Sequence, residues 1–107
     1  MLFHKKGDHT KAEEHYLRVL QGRERVLGKE HPDTLSSMNN LAGLLESKGD
    51  HTGAETLYHR VLEISDRVLG KEHPDTLITV IQLAGLFYQN EDYKRAKIYL
   101  DRAQETY

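Results

Sequence analysis

Histidine is the residue type in this sequence with the widest chemical capacity, since a neutral imidazole binds transition metals and a titrating one transfers protons. The chain of 107 residues contains seven histidines and no cysteine. His9 recurs as His51 and His31 recurs as His73, each 42 residues later, so these four are copies within a repeat rather than a converging set. There is no HExxH segment, no pair of histidines four residues apart and no Gly-rich phosphate loop. The sequence therefore favours a non-catalytic protein with no metal and no cofactor.

Charge and hydropathy limit the partners of the chain. The 15 Lys and Arg residues nearly balance the 17 Asp and Glu residues, and the net charge is −2. Since nucleic-acid binding depends on an excess of basic side chains that neutralise phosphates, we expect no nucleic-acid partner. Arginines such as Arg23 and Arg60 alternate with acids and are expected on a solvated helix face. No apolar run approaches the roughly 20 residues that cross a bilayer, so we expect a cytoplasmic protein without membrane contact.

An internal repeat defines the elements that must position any binding residues. The phrase VLGKEHPDTL occupies Val26–Leu35 and Val68–Leu77, and KGDHT occupies Lys6–Thr10 and Lys48–Thr52, both at an offset of 42 residues. Aligned at this offset from Lys6 onward, 22 of 30 residue pairs are identical. The eight differences fall in one segment, at Lys11, Glu14, His15, Leu17, Gln21, Gly22, Arg23 and Glu24. Two separate markers with one offset indicate the tandem duplication of a structural unit.

Local signals predict five α-helices and no β-strand. Pro32 suits the first residue of a helix because its φ is fixed, and Pro74 repeats this signal. Gly28 suits a left-handed helix end, and the Gly-Asp phrases at Gly7 and Gly49 are expected to end one helix and start the next. The predicted helices run from Asp8 to Leu27, from Pro32 to Ser47, from His51 to Leu69, from Asp75 to Gln89 and from Tyr93 to Tyr107. Helix pairs that repeat at a fixed offset predict a solenoid, in which each pair covers the apolar face of the next.

The residues around the second junction carry a family resemblance. They resemble the tetratricopeptide repeat at Leu41, Ala42, Leu45, Gly49, Asp50, Ala54 and Tyr58. A further unit matches at Leu83, Ala84, Phe87, Asp92, Ala96 and Leu100. The 42-residue period, LGKEHPDTL and NNLA are similar to the longer repeats of kinesin light chains. The resemblance implies an all-α fold, an α-solenoid of antiparallel helix hairpins in a right-handed superhelix. It divides the single domain into the second half of a truncated repeat (1–31), a full repeat (32–73) and a full or nearly full repeat (74–107).

The same resemblance implies which positions contact a partner, because such repeats line a concave groove with the first helix of each pair. In the middle unit the groove positions are Ser36, Asn39, Asn40, Gly43, Glu46 and Ser47. One repeat later they are Ile78, Ile81, Gln82, Gly85, Tyr88 and Gln89. The side-chain amides among them offer donors and acceptors to a peptide backbone. Plain solvation is the alternative for these amides.

The groove positions of the later unit form a second apolar stripe on one predicted helix. Its members, spaced at i, i+3, i+7 and i+10, are Ile78, Ile81, Gly85 and Tyr88. A separate stripe on the same helix consists of Leu77, Val80, Ala84 and Phe87. A helix with two apolar stripes is normally buried on both sides. The second stripe either packs against a neighbouring helix pair of this chain or forms an exposed patch for a partner. Close helix packing and room for a ligand explain Gly43 and Gly85 equally well.

Two functions fit this sequence. The first is a protein–protein interaction module or scaffold that holds a peptide or a partner helix in a preformed groove. The second is self-assembly, in which open solenoid ends stack or terminal helices swap to give a homo-oligomer. A fragment of a longer array would combine both features. The sequence does not identify the partner.

Overall fold

The computed structural model describes residues 6–106, which form five α-helices and, within that range, no β-strand. The helices are α1 (Lys6–Leu27), α2 (Pro32–Ser47), α3 (His51–Val68), α4 (Pro74–Gln89) and α5 (Tyr93–Thr106). Their number and order are those predicted from the sequence, and most of their bounds agree closely. The start of α1 is the exception.

The helix end predicted at Gly7 is wrong. Lys6 and Gly7 both lie within α1, whereas Gly49 follows the last turn of α2. A left-handed helix end requires the free carbonyls of a preceding helical turn. Gly49 has such a turn before it, the last turn of α2. An identical sequence phrase therefore has different structures in the two copies.

Helices α2 and α4 begin with the same cap. Each follows a histidine whose Nδ1 accepts a hydrogen bond from a backbone N–H two residues later: His31 from Asp33 and His73 from Asp75, both at 3.0 Å. The next residue in each case is a proline, which has no N–H that needs a partner. At the start of a helix, four backbone N–H groups lack a hydrogen-bond acceptor within the helix. The histidine accepts from one of these groups, and the proline removes another. These repeated histidines have a structural role as helix caps.

Residues with a left-handed backbone conformation follow the ends of four helices. Gly28, Gly49 and Gly70 have φ angles of 96°, 92° and 97°. The third Gly-Asp junction of the sequence has Glu91 in the glycine position, and Glu91 adopts a φ of 61°. A residue that has a Cβ atom is strained in this region because the Cβ approaches the following carbonyl oxygen. The backbone conformation is thus kept at this junction although the residue that favours it is absent.

The residues form two compact units that divide within α3, the first ending at Ala54. In the first unit α1 packs against α2. Arg23 of α1 donates a hydrogen bond from Nη1 to the backbone oxygen of Asp33 at 2.9 Å, and Lys48 donates to Glu13 at 2.5 Å. The buried apolar residues of this unit are Leu20, Leu35, Met38, Leu41, Ala42, Leu45 and Ala54.

In the second unit α4 packs against α5. Helix α3 is joined to α5 by the ion pair of Asp66 with Arg102 and by that of Glu55 with Arg95, whose closest atoms lie 3.5 Å apart. The buried apolar residues are Tyr58, Val61, Leu62, Ile64, Val80, Leu83, Ala84, Leu86, Phe87, Ala96 and Ala103. Small residues in this set, such as Ala84 and Ala96, let helix backbones approach closely.

Candidate partner-binding surfaces

The apolar groove positions of the later repeat lie on the exposed side of α4. Ile78 is 50% exposed, Ile81 is 47% exposed and Tyr88 is 63% exposed, whereas Val80 and Phe87 on the other side are buried. Together with the exposed Gly85, the residues Ile78, Ile81 and Tyr88 are called the α4 stripe below. The helix thus has one buried apolar side and one apolar side that solvent reaches.

Tyr88 extends the apolar surface of the α4 stripe toward α5. Its ring lies edge to face with that of Tyr93, the first residue of α5, at a centroid distance of 5.2 Å. Tyr93 is itself 55% exposed. Two exposed tyrosines in contact give a wide apolar surface with polar hydroxyl groups, a composition that is enriched at protein interfaces.

Gln82 is a polar groove position in the middle of α4. The residue is half-buried, and its Oε1 atom is buried and accepts no hydrogen bond from the residues that the structure describes. A buried acceptor without a donor is unfavourable. The side chain is therefore not fixed through this atom.

The groove positions of the middle repeat lie on α2 and differ in exposure. Asn40 is exposed, whereas Asn39, Gly43 and Glu46 are half-buried. Asn40 also borders a small pocket between α1 and α2. Among these positions it is therefore the amide most accessible to a partner.

Gly85 is not required by the packing of the described chain. A Cβ added to Gly85 would have no neighbouring atom within 4 Å, so close helix packing does not account for this glycine. Replacing Gly85 with Ala is expected to raise the free energy of unfolding by about 0.5–1 kcal/mol, because alanine favours the helix and restricts the unfolded chain. Urea denaturation followed by far-ultraviolet circular dichroism measures the change.

The matched control for this prediction is Gly70→Ala. Gly70 also has open space around it, but its φ is 97°, so an added Cβ is strained there. We expect this variant to be less stable than the wild type. Equal stabilisation by both substitutions would contradict the distinction between a helical glycine and a left-handed one.

Aromatic rings join α3, α4 and α5 in the second unit. The rings of Phe87 and Tyr99 stack at a centroid distance of 5.6 Å, and His59 lies 6.2 Å from Phe87. The guanidinium carbon of Arg95 lies 4.6 Å from the centre of the Phe87 ring. Burial raises the pKa of the Tyr99 hydroxyl, and the nearby charge of Arg102 opposes that rise. This cluster fixes the helix that carries the α4 stripe.

The described residues show no metal-binding constellation and no membrane-spanning helix. Within residues 6–106, no three His, Asp or Glu side chains come together as metal ligands would. None of the described helices combines the length and the apolar character that a bilayer crossing demands.

Successive helix pairs built from a 42-residue repeat define a helical repeat protein. A family model described as tetratricopeptide repeat matches residues 1–52 and residues 37–107, and the chain belongs to this family. No curated protein matches the sequence. The resemblance predicted from the sequence motifs is thus confirmed.

Solved structures of longer chains have the same fold. The chain is similar to the crystal structure of BtubC (BKLC) from P. vanneervenii, with a TM-score of 0.85 and 26% identity over 94% of this chain and 39% of that chain. It is also similar to a crystal structure of nearly identical TPR-like repeats from Podosopora anserina, in a protein described as a kinesin light chain. There the TM-score is 0.82, with 28% identity over 92% of this chain and 46% of that chain. These similarities confirm the all-α, solenoid-type fold class. The chain spans less than half the length of the chains it matches.

Proposed function

We propose that this chain is a non-catalytic protein-interaction module that binds a peptide or helix of a partner protein. The contact surfaces are the α4 stripe and the exposed amide of Asn40 on α2. Tetratricopeptide repeats are in general interaction or scaffold modules, which supports the class of function. A cytoplasmic location, away from membranes and nucleic acid, belongs to the same proposal. The near balance of 15 basic and 17 acidic residues supports the absence of a nucleic-acid partner.

The exposure of Ile78 and Ile81 is the observation that carries the proposal. Both side chains leave about half of their surface in water, at 50% and 47%, on a helix whose opposite side is fully packed. If a partner covers the exposed half of one of these isoleucine side chains, that contact contributes about 1 kcal/mol to binding. Because α4 is already folded and packed against α5, little ordering entropy opposes the association.

The α4 stripe is tested by replacing Ile81 with Asp. Peptides are first selected on the wild-type chain from a random display library, synthesised, and titrated into wild type and variant by calorimetry. A charge in the middle of the apolar stripe is expected to weaken binding by more than tenfold, as for a central hot-spot residue. Circular dichroism should show that Ile81→Asp remains folded, since the side chain is half exposed.

Ile98→Asp is the matched control. Ile98 is 58% exposed and lies on α5, outside the α4 stripe. This variant introduces the same charge at similar exposure and is expected to bind the selected peptides like the wild type. Equal binding by both variants, or a selection that yields no peptide above background, would refute the proposed surface. Unfolding of Ile81→Asp would instead support a core role for this residue.

Self-assembly is the second candidate function, and exposed apolar residues on the terminal helices favour it. On α1, Val26 is 76% exposed, and on α5 Ile98 is 58% and Leu100 47% exposed. A second copy of the chain that covers these residues would form a homo-oligomer. Multi-angle light scattering over a hundredfold range of concentration separates the two candidates. A monomer throughout would eliminate self-assembly and leave the interaction module in place.

A further inference from the structure

The α4 stripe is a narrow apolar seam with an open gap in it. Its four members follow one another at intervals of three, four and three residues, which is the spacing of helices that pack side by side along a seam. Gly85 is exposed, and a Cβ added there would meet no atom within 4 Å. Ile81 lies on one side of this gap and Tyr88 on the other, and both are exposed. The seam thus has large side chains beside a gap that one apolar side chain can fill.

The spacing of the stripe is the same in both directions along the helix. If a second α4 lies antiparallel on the first, with a two-fold axis through the middle of the stripe, Ile81 of each copy falls opposite Gly85 of the other. The same operation sets Ile78 opposite Tyr88. A large side chain therefore enters the gap above a glycine at two symmetric places. Parallel helices would instead set Gly85 against Gly85 and leave a void, which close packing disfavours.

The absence of charge from this side of α4 favours the same occupant. No Asp, Glu, Lys or Arg occurs between Thr76 and Asn90, although 30% of the residues of the chain are charged. In a two-fold contact each charge near the axis meets its own image, and like charges repel. A surface that selects a charged peptide would carry the opposite charge. An uncharged seam is instead compatible with a copy of itself.

The corresponding side of α2 does not have this seam. Forty-two residues before the three large members of the stripe, the chain has polar side chains at Ser36, Asn39 and Glu46. Only the glycine is retained, as Gly43. The gap therefore belongs to the repeat, whereas the apolar side chains around it belong to α4 alone.

We propose that the α4 stripe is the contact surface of a homodimer, in which two α4 helices pack antiparallel about a two-fold axis. The inference rests on the proposed function in using the same stripe, and it names the occupant of that stripe when no peptide is bound. A peptide and a second copy of the chain then compete for one surface, so dimerisation regulates peptide binding. This contact is distinct from self-assembly through the exposed residues of α1 and α5.

Two complementary variants test the antiparallel geometry. Ile81→Ala removes the large side chain and Gly85→Ile fills the gap, so each variant alone is expected to dimerise at least about tenfold more weakly than the wild type. When the two variants are mixed, every isoleucine at these positions again faces a small residue, and a heterodimer with the affinity of the wild-type dimer is expected. Sedimentation velocity from about 10 µM to about 1 mM covers the weak affinity of so small a contact.

Gly22→Ile is the matched control. Gly22 is a helical glycine of α1 with the same open space around it, and this variant is expected to dimerise like the wild type. A wild type that stays monomeric over the whole range, or a mixture no more dimeric than its two components, would overturn the proposal. Circular dichroism checks that each variant is folded.

If Gly85→Ile does not fold, oxidative cross-linking provides the decision. The chain has no cysteine, so the only thiols are those introduced. A mixture of Ile81→Cys with Gly85→Cys is expected to form an interchain disulfide faster than either variant alone, because the two positions face each other across the axis. Faster cross-linking in the unmixed variants would refute the antiparallel arrangement.

The effect of peptide separates this inference from the proposed function. A selected peptide is expected to dissociate the dimer, and a dimer that persists with peptide bound would contradict the shared surface. A monomeric wild type whose peptides lose affinity with Ile81→Asp would refute the dimer and retain the interaction module. A dimer with the expected response to mixing, in a chain that selects no peptide, would support the dimer and refute the module.

Discussion

Replacing Phe87 with Ala is expected to lower the free energy of unfolding by about 3–5 kcal/mol. Phe87 is 1% exposed. Its ring stacks on Tyr99 at 5.6 Å between centroids and lies beneath the guanidinium of Arg95 at 4.6 Å. Removal of the ring leaves a cavity at the point where three helices meet, and the rigid backbones close it only in part. Urea denaturation followed by circular dichroism gives the difference in free energy.

Tyr88→Ala is the control for Phe87→Ala. Tyr88 is the next residue of the same helix, but it is 63% exposed and its ring contact is with Tyr93. We expect its replacement to change the stability by less than about 1 kcal/mol. In the peptide titration we expect the opposite order: Tyr88→Ala should weaken binding more than Phe87→Ala does, because Tyr88 belongs to the α4 stripe. Similar losses of stability in the two variants would contradict the division of α4 into a buried and an exposed side.

The helices could be predicted because their signals are local. A proline at the first helical residue and a glycine just after the last one each act through φ at a single position, so Pro32 and Gly49 mark α2 without knowledge of any tertiary contact. The 42-residue offset then transfers the assignment to the next copy. The transfer fails at Gly7, which has the sequence context of Gly49 but lies within α1.

Burial at the ends of helices could not be read from periodicity. Val26 continues the apolar spacing of α1, yet it is 76% exposed. Spacing specifies which side of a helix a residue occupies, whereas burial requires that another element reaches that point along the axis. The same limit applies to the α4 stripe. The sequence places Ile78, Ile81 and Tyr88 on one side of α4 and leaves open whether a neighbour covers them.

The pocket between α1 and α2 that Asn40 borders was beyond sequence reasoning for a different reason. Alternation of charges along α1 suggests that Arg23 is solvated, but its side chain is half-buried and bonds to Ser37, 14 residues away. Such a contact depends on the packing of α1 against α2, which no local pattern encodes. The mismatch between the two copies at positions 23 and 65 was the available signal.

The junction between α4 and α5 repeats the geometry of the junction between α2 and α3 with a less suitable residue. After α2, the N–H of Gly49 donates to Glu46 at 3.1 Å and the next N–H donates to Leu45 at 2.8 Å. After α4, the N–H of Glu91 donates to Tyr88 at 3.0 Å and the next N–H donates to Phe87 at 2.8 Å. This pair of hydrogen bonds is the Schellman motif, which glycine favours because it has no Cβ. Glutamate retains the motif at a cost in backbone strain.

Replacing Glu91 with Gly is therefore expected to raise the free energy of unfolding by about 1 kcal/mol. Relief of a left-handed L-residue contributes about 1–2 kcal/mol, and the greater freedom of glycine in the unfolded chain offsets part of it. For a domain of this size the melting temperature should rise by roughly 4–8 °C. The reciprocal variant, Gly49→Glu, places the same strain at a φ of 92° and should lower the melting temperature. Differential scanning calorimetry of both variants measures the shifts. If both substitutions moved the melting temperature in the same direction, left-handed strain would not be what distinguishes the two junctions.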